Sequence, residues 1–197
     1  MSRTPVSTVI LAGGLGTRIG GDKALQLLRG RALIDWVLDA VEPQSDEVLI
    51  NANTHSETFA ARGCRVIPDL IPGWAGPLAG VQAALRVARC ELVASVPCDA
   101  PFLPDDLIDR LLAAIGSCEA AVAVAGGRRQ PAIALYRKDV LPKLDAFLEN
   151  GGRKVGAWLD TLRLSEALFD DPAAFININS QEDMARASLS TLLEIQP

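Results

Sequence analysis

Short apolar runs rich in β-branched residues alternate along this chain with segments that repeat apolar residues at three- and four-residue steps. Such runs are typical of strands that are buried on both faces of a sheet and joined by crossover helices. The runs are residues 6–12, 47–52, 64–68, 91–97, 120–125 and 132–136. The alternation therefore predicts an α/β fold: a three-layer α/β/α sandwich around a mostly parallel sheet.

The helical repeat is present in four segments, which are residues 77–89, 104–115, 138–149 and 181–193. In the second segment Asp105 and Asp106 are expected in the first helical turn, where the helix dipole favours negative charge. The glycine-rich stretches 126–131 and 150–154 are expected to be loops. Because no repeat, linker or low-complexity tract interrupts the chain, we expect one domain over residues 1–197.

Composition limits the possible partners and the compartment. The 197 residues are 49% apolar, enough for one sizeable core, and their net charge is −5. A general nucleic-acid or membrane-surface binder needs a basic face, so neither is expected as a partner. Four cysteines without a C-x-x-C pair, together with a single histidine, favour reduced thiols in the cytoplasm.

Residues 13–23, which directly follow the first predicted strand, combine five glycines with Arg18 and Lys23. Glycine backbone lets amides approach a ligand closely, and the two cations could neutralise a triphosphate. A tight strand-to-helix turn with solvated cations is the alternative for a glycine cluster of this kind. Taken alone, the segment leaves both interpretations open.

Two better-known glycine motifs do not fit this loop. The dinucleotide fingerprint requires a glycine where Ile19 stands. The phosphate loop of NTPases fails because Asp22 comes before the lysine and Ala24, which cannot bind magnesium, comes after it. A nicotinamide-dependent dehydrogenase is therefore disfavoured.

Three polar residues stand at or just after the ends of predicted strands, at the carboxyl edge of the sheet, where ligands bind in open α/β folds. Asp99 suits magnesium, which needs few protein ligands beside phosphate and water. Asn51 and Asp69 offer acceptors for the N1–H and exocyclic amine of guanine, and the sequence does not decide which of them reads the base. The alternatives are a helix cap for Asp99 and turn residues for the other two.

Six sequence blocks, in order, resemble a known family. They are LAGGLGTRIGGDK from Leu11, GPLAG at 76–80, PCDAPF at 97–102, QPAIALY at 130–136, GGRKVGAWL at 151–159 and FININSQED at 175–183. The chain resembles the molybdenum cofactor guanylyltransferases, nucleotidyltransferases that share the Rossmann-like nucleotide-diphospho-sugar transferase fold. It departs from their pattern at Ile19, in one extra glycine before Asp22, and in Ser180-Gln181, and none of these changes removes a charged or metal-binding group.

The resemblance implies transfer of GMP from GTP to the terminal phosphate of molybdopterin, with release of pyrophosphate. It implies Asp99 as the ligand of Mg²⁺, with Arg18, Lys23 and Asp99 as the catalytic residues. The GTP contacts that it implies are Leu11, Ala12, Gly13, Gly14, Lys23, Asn51, Asp69 and Asp99. The segment 76–80 is expected to form a wall of this nucleotide site.

Arg153, Lys154, Asn177 and Asn179 are expected to line the pterin substrate, since two cations beside paired glycines suit a phosphate clamp. A solvated charged loop is the alternative, and the same ambiguity applies to 128–129. We expect residues of about 1–105 to form the nucleotide half and about 106–197 the pterin half. Molybdoenzymes or their chaperones are possible recipients of the product.

Three rivals remain open at the level of sequence. Two are enzymes: a CTP-dependent molybdenum cofactor cytidylyltransferase and a sugar-1-phosphate nucleotidyltransferase. The third is a non-catalytic nucleotide-binding or cofactor-delivery protein, which would keep the glycine loop but lose the metal carboxylate.

Overall fold

A computed structural model describes residues 3–13, 22–70 and 76–190 of the chain. Gly14 and Arg18, two of the predicted site residues, lie outside this part. The strands are β1 (Val6–Leu11), β2 (Leu27–Leu28), β3 (Arg31–Ala32), β4 (Glu47–Asn51), β5 (Arg65–Ile67), β6 (Leu92–Pro97), β7 (Ala120–Ala125), β8 (Arg128–Arg137) and β9 (Leu164–Phe169). The α-helices are α1 (Leu33–Val41), α2 (Ser56–Ala60), α3 (Pro77–Val87), α4 (Leu107–Ile115), α5 (Leu141–Glu149), α6 (Val155–Leu159) and α7 (Gln181–Ser190).

Seven of these strands form one sheet in the order β5-β4-β1-β6-β8-β7-β9, while β2 and β3 form a separate hairpin. Strand β8 runs antiparallel to both β6 and β7, and the other neighbouring pairs are parallel. The predicted mostly parallel sheet is therefore confirmed, and each of the six predicted apolar runs contributes a strand to it.

Helices cover both faces of the sheet, which confirms the three predicted layers. Side chains alternate along a strand, so neighbouring residues of β1 enter different cores. Ile10 packs in the core that contains α1 and α4, and Val9 packs in the core that contains α3, α5 and α6. Because both faces are covered, the central strands read as continuous apolar runs rather than as alternating ones.

The start of α4 differs from the prediction. The helix begins at Leu107, so Asp105 and Asp106 precede its first turn, and the Asp106 side chain makes no cap hydrogen bond. The buried side chain of Gln44 lies there instead, accepting from the Ile108 amide at 2.9 Å and donating to the Pro104 carbonyl at 3.0 Å. A residue that is distant along the chain therefore provides hydrogen bonds at the start of α4.

The predicted loop 126–131 is wrong in part. Gly126 and Gly127 make the turn between β7 and β8 at positive φ, but β8 already begins at Arg128. The pairing of β7 with β8 shifts after Val122, next to Pro131, whose missing N–H cannot join a regular ladder. The first residues of β8 thus extend beyond the end of β6.

At the edge of the sheet where the parallel strands begin, Glu47, the first residue of β4, is a buried carboxylate whose side chain is 7% exposed. Burial alone would raise the pKa of Glu47, but hydrogen bonds from the Arg89 amide at 2.8 Å and the Ser7 hydroxyl at 2.6 Å hold the pKa below its usual value. The guanidinium of Arg89 adds an ion pair at 3.0 Å. The charged form of Glu47 is therefore stabilised in the folded protein.

Within the described ranges, no helix has the length and apolar character needed to cross a membrane.

Candidate active site

The carboxyl edge of the sheet carries a cleft of about 340 Å³. Six of the residues predicted for the nucleotide line it, namely Leu11, Gly13, Lys23, Asn51, Asp69 and Asp99. The start of α3, with Gly76 and Pro77, and Ala132 of β8 complete much of the wall. A cleft of this volume is large enough for a small-molecule ligand.

Strand register explains why these residues meet. Leu11 is the partner of both Asn51 in β4 and Pro97 in β6, and Asn51 is in turn the partner of Ile67 in β5. The residues that follow these positions leave the sheet side by side at one edge. Ala12 stays buried there and donates its amide to the Asn51 carbonyl at 2.9 Å.

A side-chain network fixes the Asn51 and Asp69 side of the cleft. The amide nitrogen of Asn51 donates to Asp69 Oδ1 at 2.9 Å and to the Ile67 carbonyl at 3.2 Å. The sequence analysis missed Asn53, whose Nδ2 donates to Asp69 Oδ2 at 2.8 Å and whose Oδ1 accepts from the Asp69 amide at 2.8 Å. The repeated asparagine in N-A-N at the end of β4 was the available signal.

Gly80 allows Asn51 to lie against helix α3. A Cβ atom at position 80 would stand 2.7 Å from both Asn51 Cγ and Leu11 Cδ2, and closer still to Asn51 Oδ1. These separations are shorter than van der Waals contact, so any side chain there would displace the amide. Among the predicted wall residues 76–80, Gly80 is therefore required to be glycine by its contact with Asn51 and Leu11.

Lys23 links Asp99 to the C-terminal part of the chain. Its ammonium donates to Asp99 Oδ2 and, at 2.5 Å, to Asn179 Oδ1. The side chains of Lys23 and Asp99 are only 19% and 11% exposed. Asn179, which we expected at the pterin, thus lies close to the Asp99 carboxylate, and Ile178 donates its amide to the Asp99 carbonyl at 2.8 Å.

The N-terminus of α7 holds Asn179 in place. The Asp183 carboxylate accepts from the Ser180 hydroxyl at 2.8 Å and from the Asn179 amide at 3.0 Å, and the Asp183 amide donates back to the Ser180 hydroxyl at 3.1 Å. The hydrogen bond from Ser180 and that from Asn179 lower the pKa of Asp183. This reciprocal cap fixes the direction in which the chain enters α7.

The remaining predicted pterin residues are not brought to Lys23. The Arg153 guanidinium turns back to the Leu148 and Gly152 carbonyls, at 2.8 and 2.6 Å, and Lys154 is exposed. Asn177 is also exposed and accepts at its carbonyl from the Asn179 side chain at 3.4 Å. Their contact with a pterin stays a prediction.

Arg129 forms surface ion pairs with Glu166 at 2.7 Å and Asp160 at 3.0 Å. The hydrogen bond to Glu166 raises the pKa of Arg129 above its ordinary value. For Arg129 these contacts favour a surface charge over a phosphate clamp, because two carboxylates outside the cleft already pair with its guanidinium.

Asp22 is a second acidic group beside Lys23 that the sequence analysis gave no role. Its side chain is 10% exposed, with Oδ2 3.3 Å from the Thr54 hydroxyl and 3.5 Å from His55 Nε2. His55 adopts a left-handed backbone conformation, with φ of 54°, directly before α2. The loop that follows β4 thus contacts both Asp69 and the segment that carries Lys23.

The residues present fit a magnesium ion at Asp99. The described residues contain no group of three or more His, Cys, Asp or Glu side chains that could hold a metal. A single buried carboxylate in a cleft is nonetheless a suitable protein ligand for magnesium when substrate phosphates and water complete the shell. Cys98 beside it is not a competing ligand, because burial, reinforced by the Asp99 charge, raises the pKa of its thiol and keeps it protonated.

The chain has a mostly parallel α/β sheet with a cleft at its carboxyl edge, and it matches a family model of NTP transferases, which places it in the class of nucleotidyltransferases. More narrowly, the chain belongs to the MobA-like NTP transferase domain family, which residues 8–165 match.

Relatives over nearly the whole chain support this membership. A molybdenum cofactor guanylyltransferase of Shewanella sp. strain MR-4 is 42% identical over 185 residues, which cover 92% of this chain and 94% of the relative. One of Cupriavidus metallidurans is 42% identical over 192 residues, covering 93% and 95%. The structure of molybdopterin-guanine dinucleotide biosynthesis protein A from Archaeoglobus fulgidus is similar with a TM-score of 0.80, at 26% identity, covering 96% of this chain and all of that one. The family resemblance drawn from the sequence and the predicted fold are confirmed.

Proposed function

We propose that this chain transfers GMP from GTP to the terminal phosphate of molybdopterin, which releases pyrophosphate and forms molybdopterin guanine dinucleotide. The names of relatives that are 42% identical over nearly the whole chain support this activity. The observation that carries the proposal is that Lys23, Asn51, Asp69 and Asp99 meet in one cleft. A non-catalytic binding protein would have no need of the carboxylate at 99.

The hydrogen bonds around Asn51 support guanine as the base. Both donor positions of its amide nitrogen are used, by Ile67 and by Asp69, so Asn51 can offer a ligand only its acceptor oxygen. The Asp69 carboxylate likewise offers only acceptors. An acceptor of either kind suits the N1–H and exocyclic amine of guanine, whereas the ring N3 of cytosine requires a donor. Which of the two side chains meets the base and which the ribose stays a prediction.

The proposed reaction is an in-line displacement at the α-phosphorus of GTP. The attacking phosphate is already an anion, so no protein nucleophile or histidine base is required. The chain's own residues position the two substrates and offset negative charge as pyrophosphate leaves, with Lys23 beside the cleft and Arg18 outside the described residues. When bound, a magnesium ion at Asp99 would supply further charge neutralisation on the phosphates.

The remaining assignments stay predictions. These are the division into a nucleotide half and a pterin half, contact of Arg153, Lys154 and Asn177 with the pterin, delivery to molybdoenzymes or their chaperones, and location in the cytoplasm.

The test is pyrophosphate release from each of the four NTPs, with and without molybdopterin. Of the four nucleotides, we expect only GTP to release pyrophosphate, and only when molybdopterin is present. Pterin-dependent release from CTP would indicate a cytidylyltransferase, and release with a sugar 1-phosphate would indicate the sugar enzyme. Tight GTP binding without turnover under any of these conditions would favour the binding protein.

A further inference from the structure

The Lys23 ammonium donates a hydrogen bond to one of the Asp99 oxygens that a metal ion would need as a ligand. Of the described residues, Lys23 is the ion-pair partner of Asp99, and its ammonium contacts one carboxylate oxygen of Asp99 and the side-chain oxygen of Asn179. Both oxygens are hard ligands of the kind that magnesium prefers. The ammonium thus lies where the positive charge of a metal ion would otherwise be.

Burial explains why a cation is needed there in the absence of ligands. The Asp99 side chain is 11% exposed, and a carboxylate withdrawn from water must be paired to remain charged. Lys23 provides that charge on a flexible four-carbon side chain. The same flexibility allows the ammonium to leave once another cation and an anionic partner are available.

Two cations at one carboxylate would repel each other strongly, since both would lie within a few ångströms in a partly buried cleft. A divalent ion can therefore bind Asp99 well only if the Lys23 ammonium moves away. Triphosphate oxygens in the same cleft would offer that ammonium a new partner, whereas a metal ion arriving alone would leave it without one.

We propose that Lys23 and the divalent metal ion exchange at Asp99. Without nucleotide, the ammonium neutralises the carboxylate and disfavours binding of the bare ion. With nucleotide, Nζ moves from Asp99 to the phosphates, and the carboxylate becomes available to the metal. Lys23 thus couples metal binding to nucleotide binding. This inference rests on the proposed function for the identity of the nucleotide, but not for the competition itself.

The experiment is a titration of the nucleotide-free protein with Mn²⁺, in which electron paramagnetic resonance measures the free ion. The variants are Lys23→Met and Lys23→Gln, which remove the charge at similar length, Lys23→Arg, which keeps it, and Asp99→Asn. In wild type, the incoming ion must break the charge-assisted hydrogen bond from Lys23 to Asp99, whereas the Met and Gln variants lack this bond. We therefore expect these two variants to bind Mn²⁺ about tenfold more tightly than wild type. We expect Lys23→Arg to remain near wild type and Asp99→Asn to lose the site.

A second titration uses a GTP analogue with a methylene bridge between the α- and β-phosphates, in saturating Mg²⁺. Here the order should reverse, and the Met and Gln variants should bind the analogue more weakly than wild type because the phosphates have lost their ammonium. Calorimetry measures this affinity without turnover.

The exchange is refuted if both neutral variants bind Mn²⁺ no more tightly than wild type, or if Asp99→Asn leaves Mn²⁺ binding unchanged. Failure of the proposed function has a different signature: the analogue would not bind wild type, or pyrophosphate release would not depend on GTP, while the Mn²⁺ titration could still show the competition.

Discussion

A methyl group at position 80 should damage both the fold and the nucleotide site. In Gly80→Ala, the new Cβ would lie 2.7 Å from Asn51 Cγ and from Leu11 Cδ2, and nearer to Asn51 Oδ1. Helix α3 has no room to retreat, because its neighbouring residues Ala79 and Val81 are buried at 0% and 1% exposure. The Asn51 amide is therefore the group that must move.

The expected loss of stability follows from three contributions. Overpacking of this kind costs about 1–3 kcal/mol. Displacement of Asn51 also weakens its hydrogen bond to the Asp69 carboxylate, and bonds to charged groups contribute about 1.5–3 kcal/mol. Replacing glycine by alanine inside a helix returns about 1 kcal/mol. Since overpacking and the lost bond are alternative ways of relieving one clash, only one of the two costs applies, and we expect a net decrease of about 1 kcal/mol in the free energy of unfolding, with an upper limit of about 2 kcal/mol.

Denaturant unfolding and calorimetric titration with the GTP analogue measure the two effects. The matched control is Gly156→Ala in α6, where a Cβ would meet nothing within 4 Å. This change should leave nucleotide binding unaltered and raise the free energy of unfolding by up to about 1 kcal/mol. If Gly80→Ala were as stable as wild type and bound the analogue equally well, the packing argument for Asn51 would be wrong.

Three further predictions concern other parts of the chain. Asp99→Ala should lower the rate of pyrophosphate release by on the order of 10²-fold, since a contact that offsets developing charge is removed; a full rate would contradict the metal assignment. Asn53→Ala, which removes the partner of Asp69 Oδ2 and of the Asp69 amide, should weaken binding of the GTP analogue by about tenfold in calorimetry, and unchanged affinity would show that Asp69 does not need Asn53. The pKa of Glu47 is lowered in the folded protein, so its contribution is complete above its unfolded value of about 4.5 and is lost as the pH falls through the folded value. The difference in unfolding free energy between wild type and Glu47→Gln should therefore be large at neutral pH and shrink below about pH 4.5, and a constant difference in acid denaturation would contradict this assignment.

The sequence predicted the sheet because its strands are buried on both faces and appear as uninterrupted apolar runs. It did not predict β9, the outer strand of the sheet, because LSEALF mixes exposed and buried positions and lacks that signal. The hairpin of β2 and β3 was missed for a similar reason, since two-residue strands leave no periodic pattern. The prediction placed the start of α4 at residue 104 instead of Leu107, because the hydrogen bond that Gln44 accepts from the Ile108 amide comes from a residue distant along the chain.

For the candidate site, the sequence by itself determined which residues reach the carboxyl edge, because each of Asn51, Asp69 and Asp99 lies at or just after the end of a predicted strand. Only the tertiary structure decided their partners: Asn53 on Asp69, Gly80 beneath Asn51, and Asn179 with Lys23 at Asp99. Strand ends follow from local apolar patterns, which the chain carries in every short window. Hydrogen bonds between residues far apart in the chain depend on register and helix docking, and no local pattern contains that information.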